Sequence, residues 1–462
     1  MFSISVALAQ PDLYIAGLKT EQSLFFDGIL VGTRNVENLA PGETRTLEYF
    51  GVPQISGQFV LRAVADVEGV VKEIDERNNE RNLNTSVIDF EILAPVYVDP
   101  FKVELKDLPP LDSFPIDNPK DGINWEWIKM PKPCVGGAGT DTFILLRRGS
   151  ENKLLLYLEA GGACLDFNTC QPYPSGTIIT LYPNILAPLL YRYGIFDVNN
   201  PLNPFRNWTM ILVPYSTGDV HMGNRVVKYY STQGEKVVYH VGYVNAIVAM
   251  RWANQSNFEK IVVAGSSAGG FGAILHFYTA KDIFKKPVVG ISDAGPGIEA
   301  NVSSPFRMSN VIERWGSLKN FPEEALDYVL GKDLLRFVEY ALEKCEDCKF
   351  ALFEDQYDTV IAQGFQGYSP EDYRAKLLKL TEEIREKYPK QFFTYLPLED
   401  QHKISGDRFY SLRVDGLSPC RWISEILNET EIDQQITPEE RSPGFELLLS
   451  ILSLALLFVL RK

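Results

Sequence analysis

The chain has 462 residues, more than one ordinary domain uses, and 45% of them are hydrophobic, enough for a sizeable core. A net charge of −15 argues against nucleic acid and anionic lipid surfaces as partners. Six cysteines, at positions 134, 164, 170, 345, 348 and 420, form no pair of Cys-x-x-Cys arms, so no metal site is expected. Residues 1–10 come first in chain order. Phe2 to Ala9 is apolar and ends in a small-residue pattern before Gln10, without a basic segment ahead of it, and reads as a remnant of a signal peptide.

Residues 11–93 read as a small all-β sandwich domain. Alternating runs such as Phe59 to Asp66 are separated by turn signals at Pro41-Gly42 and Ser56-Gly57. The segment Val70 to Glu80, after Pro11-Asp12-Leu13 and before a last strand, resembles the CARDB modules of prokaryotic surface proteins. That resemblance implies an Ig-like adhesion or spacer domain. The Asp and Asn residues of this segment read as a solvated turn rather than a calcium site. Residues 94–121 hold six prolines, the composition of a stiff linker.

From about 141 to 425, strands alternate with helical stretches, the pattern of a largely parallel α/β sheet. Leu154 to Leu158 reads as a buried strand, and Glu159-Ala160-Gly161-Gly162-Ala163-Cys164 follows it. A Gly-Gly turn there offers the N–H groups of Gly161 and Gly162 to a tetrahedral intermediate. Residues 166–206, rich in Pro, Tyr and Asn, are a candidate cover for the site. Ile261 to Ala264 leads into Gly265-Ser266-Ser267-Ala268-Gly269, followed by a helical pattern. Strand, Gly-x-Ser-x-Gly and helix together make Ser267 a candidate nucleophile, with the Ala268 N–H as a further oxyanion donor.

A serine nucleophile needs a base. Of four histidines, His276 and His402 follow Ser267; His276 falls within the helix leaving the elbow, so His402 is the candidate. For the acid, spacing leaves two aspartates open. Asp358 lies beyond the strand Lys349 to Phe353, where Glu354 and Asp355 also lie, and Asp293 ends the strand Val288 to Ser292. Pro322 to Lys349 and Pro370 to Lys387 read as amphipathic helices with solvated charged faces.

These motifs occur in the order seen in pectin acetylesterases and Notum carboxylesterases. Leu158 to Cys164 with Cys170, Pro214 to Asp219, Gly265 to Gly270, Asp293-Ala294-Gly295, and upstream Trp125 to Ile128 with Cys134 carry the resemblance, over about residues 122–425. It implies an α/β-hydrolase-like fold, hydrolysis of carboxylic esters, no cofactor, and a Cys164–Cys170 disulfide. Residue by residue it favours Ser267, Asp358 and His402 as the triad and makes Asp293 a structural turn residue. Ala160 stands where the family's oxyanion turn usually has glycine, and an aromatic often found in that turn is absent. That absence points to short acyl groups, acetyl above all.

Residues 122–428 are thus the expected hydrolase domain and 429–443 an acidic tether. Residues 444–462 form a hydrophobic segment ending in Arg461-Lys462. Pro443-Gly444-Phe445 before this short apolar run resembles the archaeal sorting tails cut by archaeosortases; a plain C-terminal membrane anchor is the alternative. Disulfides and both chain ends place the protein outside the cell, held at its surface. The expected activity is deacetylation of polysaccharide O-acetyl esters. A lipid deacylase of Notum type and an inactive hydrolase domain serving as an adhesion module are the rivals.

Overall fold

The structure is a computed structural model. It describes residues 90–117, 124–170, 191–231, 233–302, 304–429 and 435–437, and ahead of them the backbone of six strands between residues 2 and 87. The Asp/Asn turn near residue 75, the tail from 438 onward and residues 171–190 of the candidate cover lie outside the described residues.

The N-terminal strands are β1 (Phe2–Ala9), β2 (Lys19–Phe26), β3 (Ile29–Glu37), β4 (Thr44–Gly51), β5 (Gly57–Val64) and β6 (Glu80–Val87). β1 pairs antiparallel with β4, so residues 2–9 are sheet here. β2, β3, β5 and β6 make a second sheet in the order β3-β2-β5-β6. Strand β7 (Phe90–Ala94) pairs antiparallel with β12 (Arg225–Ser231), which itself pairs with β13 (Gly234–His240).

The large sheet has nine strands: β8 (Glu126–Lys129), β9 (Phe143–Arg147), β10 (Glu151–Leu158), β11 (Trp208–Val213), β14 (Lys260–Ser266), β15 (Val288–Asp293), β16 (Lys349–Phe353), β17 (Phe392–Tyr395) and β18 (Gln435–Ile436). Their order is β18-β17-β16-β15-β14-β10-β11-β9-β8. Within this sheet β10, β11, β14, β15, β16, β17 and β18 pair in parallel, and β8 and β9 run antiparallel at one edge. The parallel strands are apolar at nearly every position because both faces are covered. The period of two sorts them. Leu154, Leu156, Ile261 and Val263 join one core cluster, while Leu155, Tyr157, Val262 and Ala264 join the other.

Helices α1 (Gly242–Ala253), α2 (Ala268–Phe284), α3 (Met308–Trp315), α4 (Phe337–Glu343) and α5 (Pro370–Lys387) add buried side chains to the first cluster. α6 (Pro419–Asn428) adds Trp422, Ile423 and Ile426 to the second. Ser369 starts α5 by accepting the Asp372 N–H, with Pro370 in the first turn. Residues 322–349 differ from the single helix expected. They form short turns and the brief α4, broken at Leu330-Gly331, where Gly331 takes φ +68°. A residue in the left-handed region ends a helix, and glycine takes it without Cβ strain.

Candidate active site

The carboxyl ends of β10, β14, β15 and β16 meet along one edge of the sheet, where open α/β sheets place their ligands. Ser267 follows β14 with φ 52° and ψ −117°, a conformation that is strained for any residue bearing a Cβ. Its flanks explain the glycines. A Cβ on Gly265 would lie 2.2 Å from the Gly269 carbonyl oxygen, and one on Gly269 would lie 2.0 Å from the Leu158 oxygen. The turn therefore closes only with glycine at both positions. The 17-residue helix α2 begins immediately after Ser267, so its N-terminal dipole favours negative charge there.

The Gly-Gly turn after β10 sits beside Ser267 and lines the same cavity. Gly161 is required by close approach, since a Cβ there would lie 1.9 Å from Tyr215 Cδ1. The Tyr215 hydroxyl donates to the Gly162 carbonyl at 2.9 Å and accepts the Val220 N–H at 2.8 Å, fixing the turn from above. The N–H groups of Gly161, Gly162 and Ala268 have no backbone acceptor among the described residues.

His402 Nδ1 lies 2.6 Å from Asp358 Oδ2. With an ionised carboxylate as acceptor, Nδ1 carries the proton and Nε2 is left with its lone pair. Asp358 is fully buried, and its Oδ1 accepts the Val360 and Ile361 N–H groups at 2.9 and 3.0 Å. The other acids after β16 are engaged elsewhere. Glu354 accepts from the Tyr373 hydroxyl at 2.7 Å, and Asp355 forms a two-pronged pair with Arg408. Burial pushes the Glu354 carboxyl well above the usual range and Asp355 up to about 6.

Asp293 does not reach His402 through its carboxylate; it binds the backbone of residues 404 and 405 instead. His221, His240 and His276 are wholly buried, and burial pushes them down to about 3, 3 and 4, so they stay neutral. Ser267 and His402 share no hydrogen bond among the described residues. Such contacts are often long before substrate binds.

Two cavities flank the elbow. The smaller, about 50 Å³, opens at Ser267, Gly161, Gly162 and Ala268 and is walled by Phe271, Phe306, Met308, Trp315 and Phe365. The larger, about 590 Å³, is lined by His402, Lys403, Glu159, Tyr157, Tyr191, Tyr193 and Ser405. Glu159 is a site residue that motif reading passed over. Its carboxylate accepts the Tyr215 N–H at 2.6 Å and the Tyr191 hydroxyl, and burial pushes it up to about 7. Its place in the oxyanion segment was visible, but its role as a brace required the fold.

The Cys164–Cys170 disulfide is present, with a second bond between Cys345 and Cys348, and Cys134 and Cys420 are free and buried. Among the described residues there is no His, Cys, Asp and Glu group suited to a metal, and no helix long and apolar enough to cross a membrane.

The pectinacetylesterase family model matches residues 134–401. The chain belongs to the pectinacetylesterase family. A CARDB model matches residues 16–83. Among similar proteins are the palmitoleoyl-protein carboxylesterase NOTUM of Schmidtea mediterranea, 27% identical over 138 residues (29% of this chain, 25% of that one), and pectin acetylesterase 11 of Arabidopsis thaliana, 26% identical over 216 residues (44% and 52%). The chain thus spans between a quarter and about half the length of these relatives. The solved structure of the Wnt deacylase Notum from Drosophila shares the α/β-hydrolase fold, with a TM-score of 0.52 at 16% identity, over 69% of this chain and 97% of that one. In this pectinacetylesterase-family sheet Ser267 follows β14, Asp358 follows β16 and His402 follows β17, all past the carboxyl ends of parallel strands.

Proposed function

We propose that this chain is a serine hydrolase that removes short acyl groups, acetyl first, from hydroxyls of an extracellular carbohydrate. The observation that carries the reading is the volume beside Ser267. At about 50 Å³ the apolar cavity is a third of the roughly 150 Å³ that admits a benzene-sized guest. A methyl fits and a fatty chain does not. The reason differs from the missing aromatic in the Gly161-Gly162 turn: Phe271, Phe306, Trp315 and Phe365 fill the space from other elements.

In this reading the alcohol side of the ester occupies the larger cavity. The exposed Tyr193 at its lining brings a ring face and a phenol to that cavity, which suits a sugar ring more than an acyl chain. Ser267 Oγ attacks the carbonyl carbon while His402 Nε2 takes its proton. The N–H groups of Gly161, Gly162 and Ala268 hold the oxyanion. His402 then returns the proton to the departing sugar oxygen, leaving an acyl-serine. Water, activated by the same imidazole, releases the carboxylic acid and restores the serine. Asp358 holds the neutral imidazole in the Nδ1–H tautomer and stabilises the imidazolium when Nε2 carries the transferred proton.

Two disulfides and the CARDB-like region support an extracellular setting. The segment from residue 444 serves as its surface attachment in this reading. Intact-mass analysis from the native host distinguishes a sortase-processed end from a retained Lys462. A p-nitrophenyl ester series from acetyl to palmitoyl tests the substrate. The expected result is a peak at acetyl or propionyl; specificity that climbed through octanoyl would replace this reading with a lipid deacylase. Failure of a fluorophosphonate to label Ser267 would point to an inactive binding module.

A further inference from the structure

Asp293 ends β15 between the nucleophile and the base, and it holds both. Its carbonyl oxygen accepts the Ser267 N–H at 2.7 Å. Its carboxylate accepts the Ile404 N–H at 2.7 Å through Oδ1, the Ser405 N–H at 2.9 Å and the Ser405 hydroxyl at 2.5 Å through Oδ2. The side chain is buried, so these charge-assisted bonds operate away from water.

The Asp358 bond orients the His402 ring, but the ring's distance from Ser267 depends on the backbone that carries it. That backbone is under local strain, since Lys403 takes φ +72°, in the left-handed region. Something must hold residues 404 and 405 for the strain to persist. A line of hydroxyls continues the tie. Ser405 Oγ lies 3.3 Å from both Ser266 Oγ and Tyr157 Oη, and the Tyr157 and Ser266 hydroxyls bond to each other. Ser266 immediately precedes Ser267, so the loop bearing His402 and the elbow are joined twice.

We infer that Asp293 is a positioning residue that sets the His402 ring against Ser267, a role that rests on the reading of His402 as base. A purely structural role would cost stability alone. A positioning role costs turnover in protein that remains folded.

The test is Asp293→Asn beside Ser405→Ala in the full chain. In Asp293→Asn one oxygen still accepts a single N–H, while the new amide faces the second donor. In Ser405→Ala both backbone bonds remain and the hydroxyl bond is lost. The measurements are kcat and KM on p-nitrophenyl acetate, the melting curve, and the low-field proton resonance of His402 Nδ1–H. For Asp293→Asn the expected kcat loss is about 10- to 100-fold with KM within about threefold, because sub-ångström to 1 Å displacements cost that much. The resonance should shift or vanish although Asp358 is intact. Ser405→Ala should lose several-fold in kcat at an unchanged melting temperature, and it carries the test should Asp293→Asn not fold. An unchanged kcat and an unchanged resonance in folded variants would overturn the inference. The resonance reports ring geometry without turnover, so an inactive wild-type protein, which would sink the esterase reading, remains a distinguishable result.

Discussion

Asp358 and His402 are 44 residues apart in sequence and meet at 2.6 Å, carboxylate to Nδ1. The two oxygens of Asp358 divide their work. Oδ2 faces the imidazole, and Oδ1 accepts the N–H groups of Val360 and Ile361 at the start of the turn that follows. The carboxylate is thereby held by its own stretch of chain as well as by His402. Asp355, three residues earlier, is tied to Arg408 and is unavailable for that role.

Substituting the proposed triad should separate these acids. Ser267→Ala and His402→Ala should each lower kcat by about three to six decades with the fold retained. Asp358→Asn should be nearly as severe. Asp355→Asn should instead lower stability through the lost Arg408 pair, with kcat changed less than about tenfold. Steady-state kinetics beside thermal melts provides the check. Ser267→Ala retaining more than a tenth of wild-type turnover would remove Ser267 from its role.

The small cavity predicts a specificity switch. Phe365 meets Phe306 edge to face at 4.8 Å and walls the space beside Ser267. Phe365→Ala should open that wall. Each further methylene buried is worth about 0.8 kcal/mol, close to fourfold in kcat/KM. The ratio of butyryl to acetyl ester should rise by about tenfold. An unchanged ratio across the ester series would show that acyl groups bind elsewhere.

Gly161→Ala should fail by collision with Tyr215, whose ring would lie 1.9 Å from the new Cβ. Relief requires moving the ring or the turn, and overpacking of this kind costs about 1 to 3 kcal/mol. The turn supplies two of the proposed oxyanion donors, so kcat should fall by about 100-fold or more. Melting curves and kinetics of purified Gly161→Ala measure both effects.

Glu159 predicts a pH dependence of stability. Burial raises its folded-state pKa to about 7, against an unfolded value near the usual 4.5. Between those values the folded state binds more protons than the unfolded one. Glu159 therefore withdraws stability as pH rises from about 4.5 to 7, by at most about 1.4 kcal/mol per pH unit, and no further above that window. Glu159→Gln removes the titration. Its melting temperature relative to wild type should climb through that window and level off above pH 7. A difference independent of pH would show that the carboxyl titrates alike in both states.

Much of the site was legible without coordinates because its parts are local. The Gly265 to Gly269 elbow depends on backbone angles that neighbours in sequence dictate, and strand, turn and helix are written around it in one stretch. The parallel sheet was legible for a similar reason. Strands covered on both faces need continuous apolar runs, and such runs as Leu154 to Leu158 stand out. The single helix expected at residues 322–349 failed because helical periodicity persisted across Leu330-Gly331, where packing instead turns the chain.

What tertiary structure decided are relations between distant segments. Spacing alone left Asp358 and Asp293 open as acids, one just past β16 and the other ending β15, and the family resemblance favoured Asp358 without giving a contact. Only the folded chain gives Asp358 the imidazole and gives Asp293 the Ile404 and Ser405 backbone. The bracing of the Gly-Gly turn by Tyr215 and Glu159 joins residues 56 apart, at the ends of two adjacent strands. The cavity beside Ser267 is the clearest case. Its size is the space left over among Phe271, Phe306, Trp315 and Phe365, side chains from separate elements, and a volume enclosed by long-range packing has no local pattern in sequence.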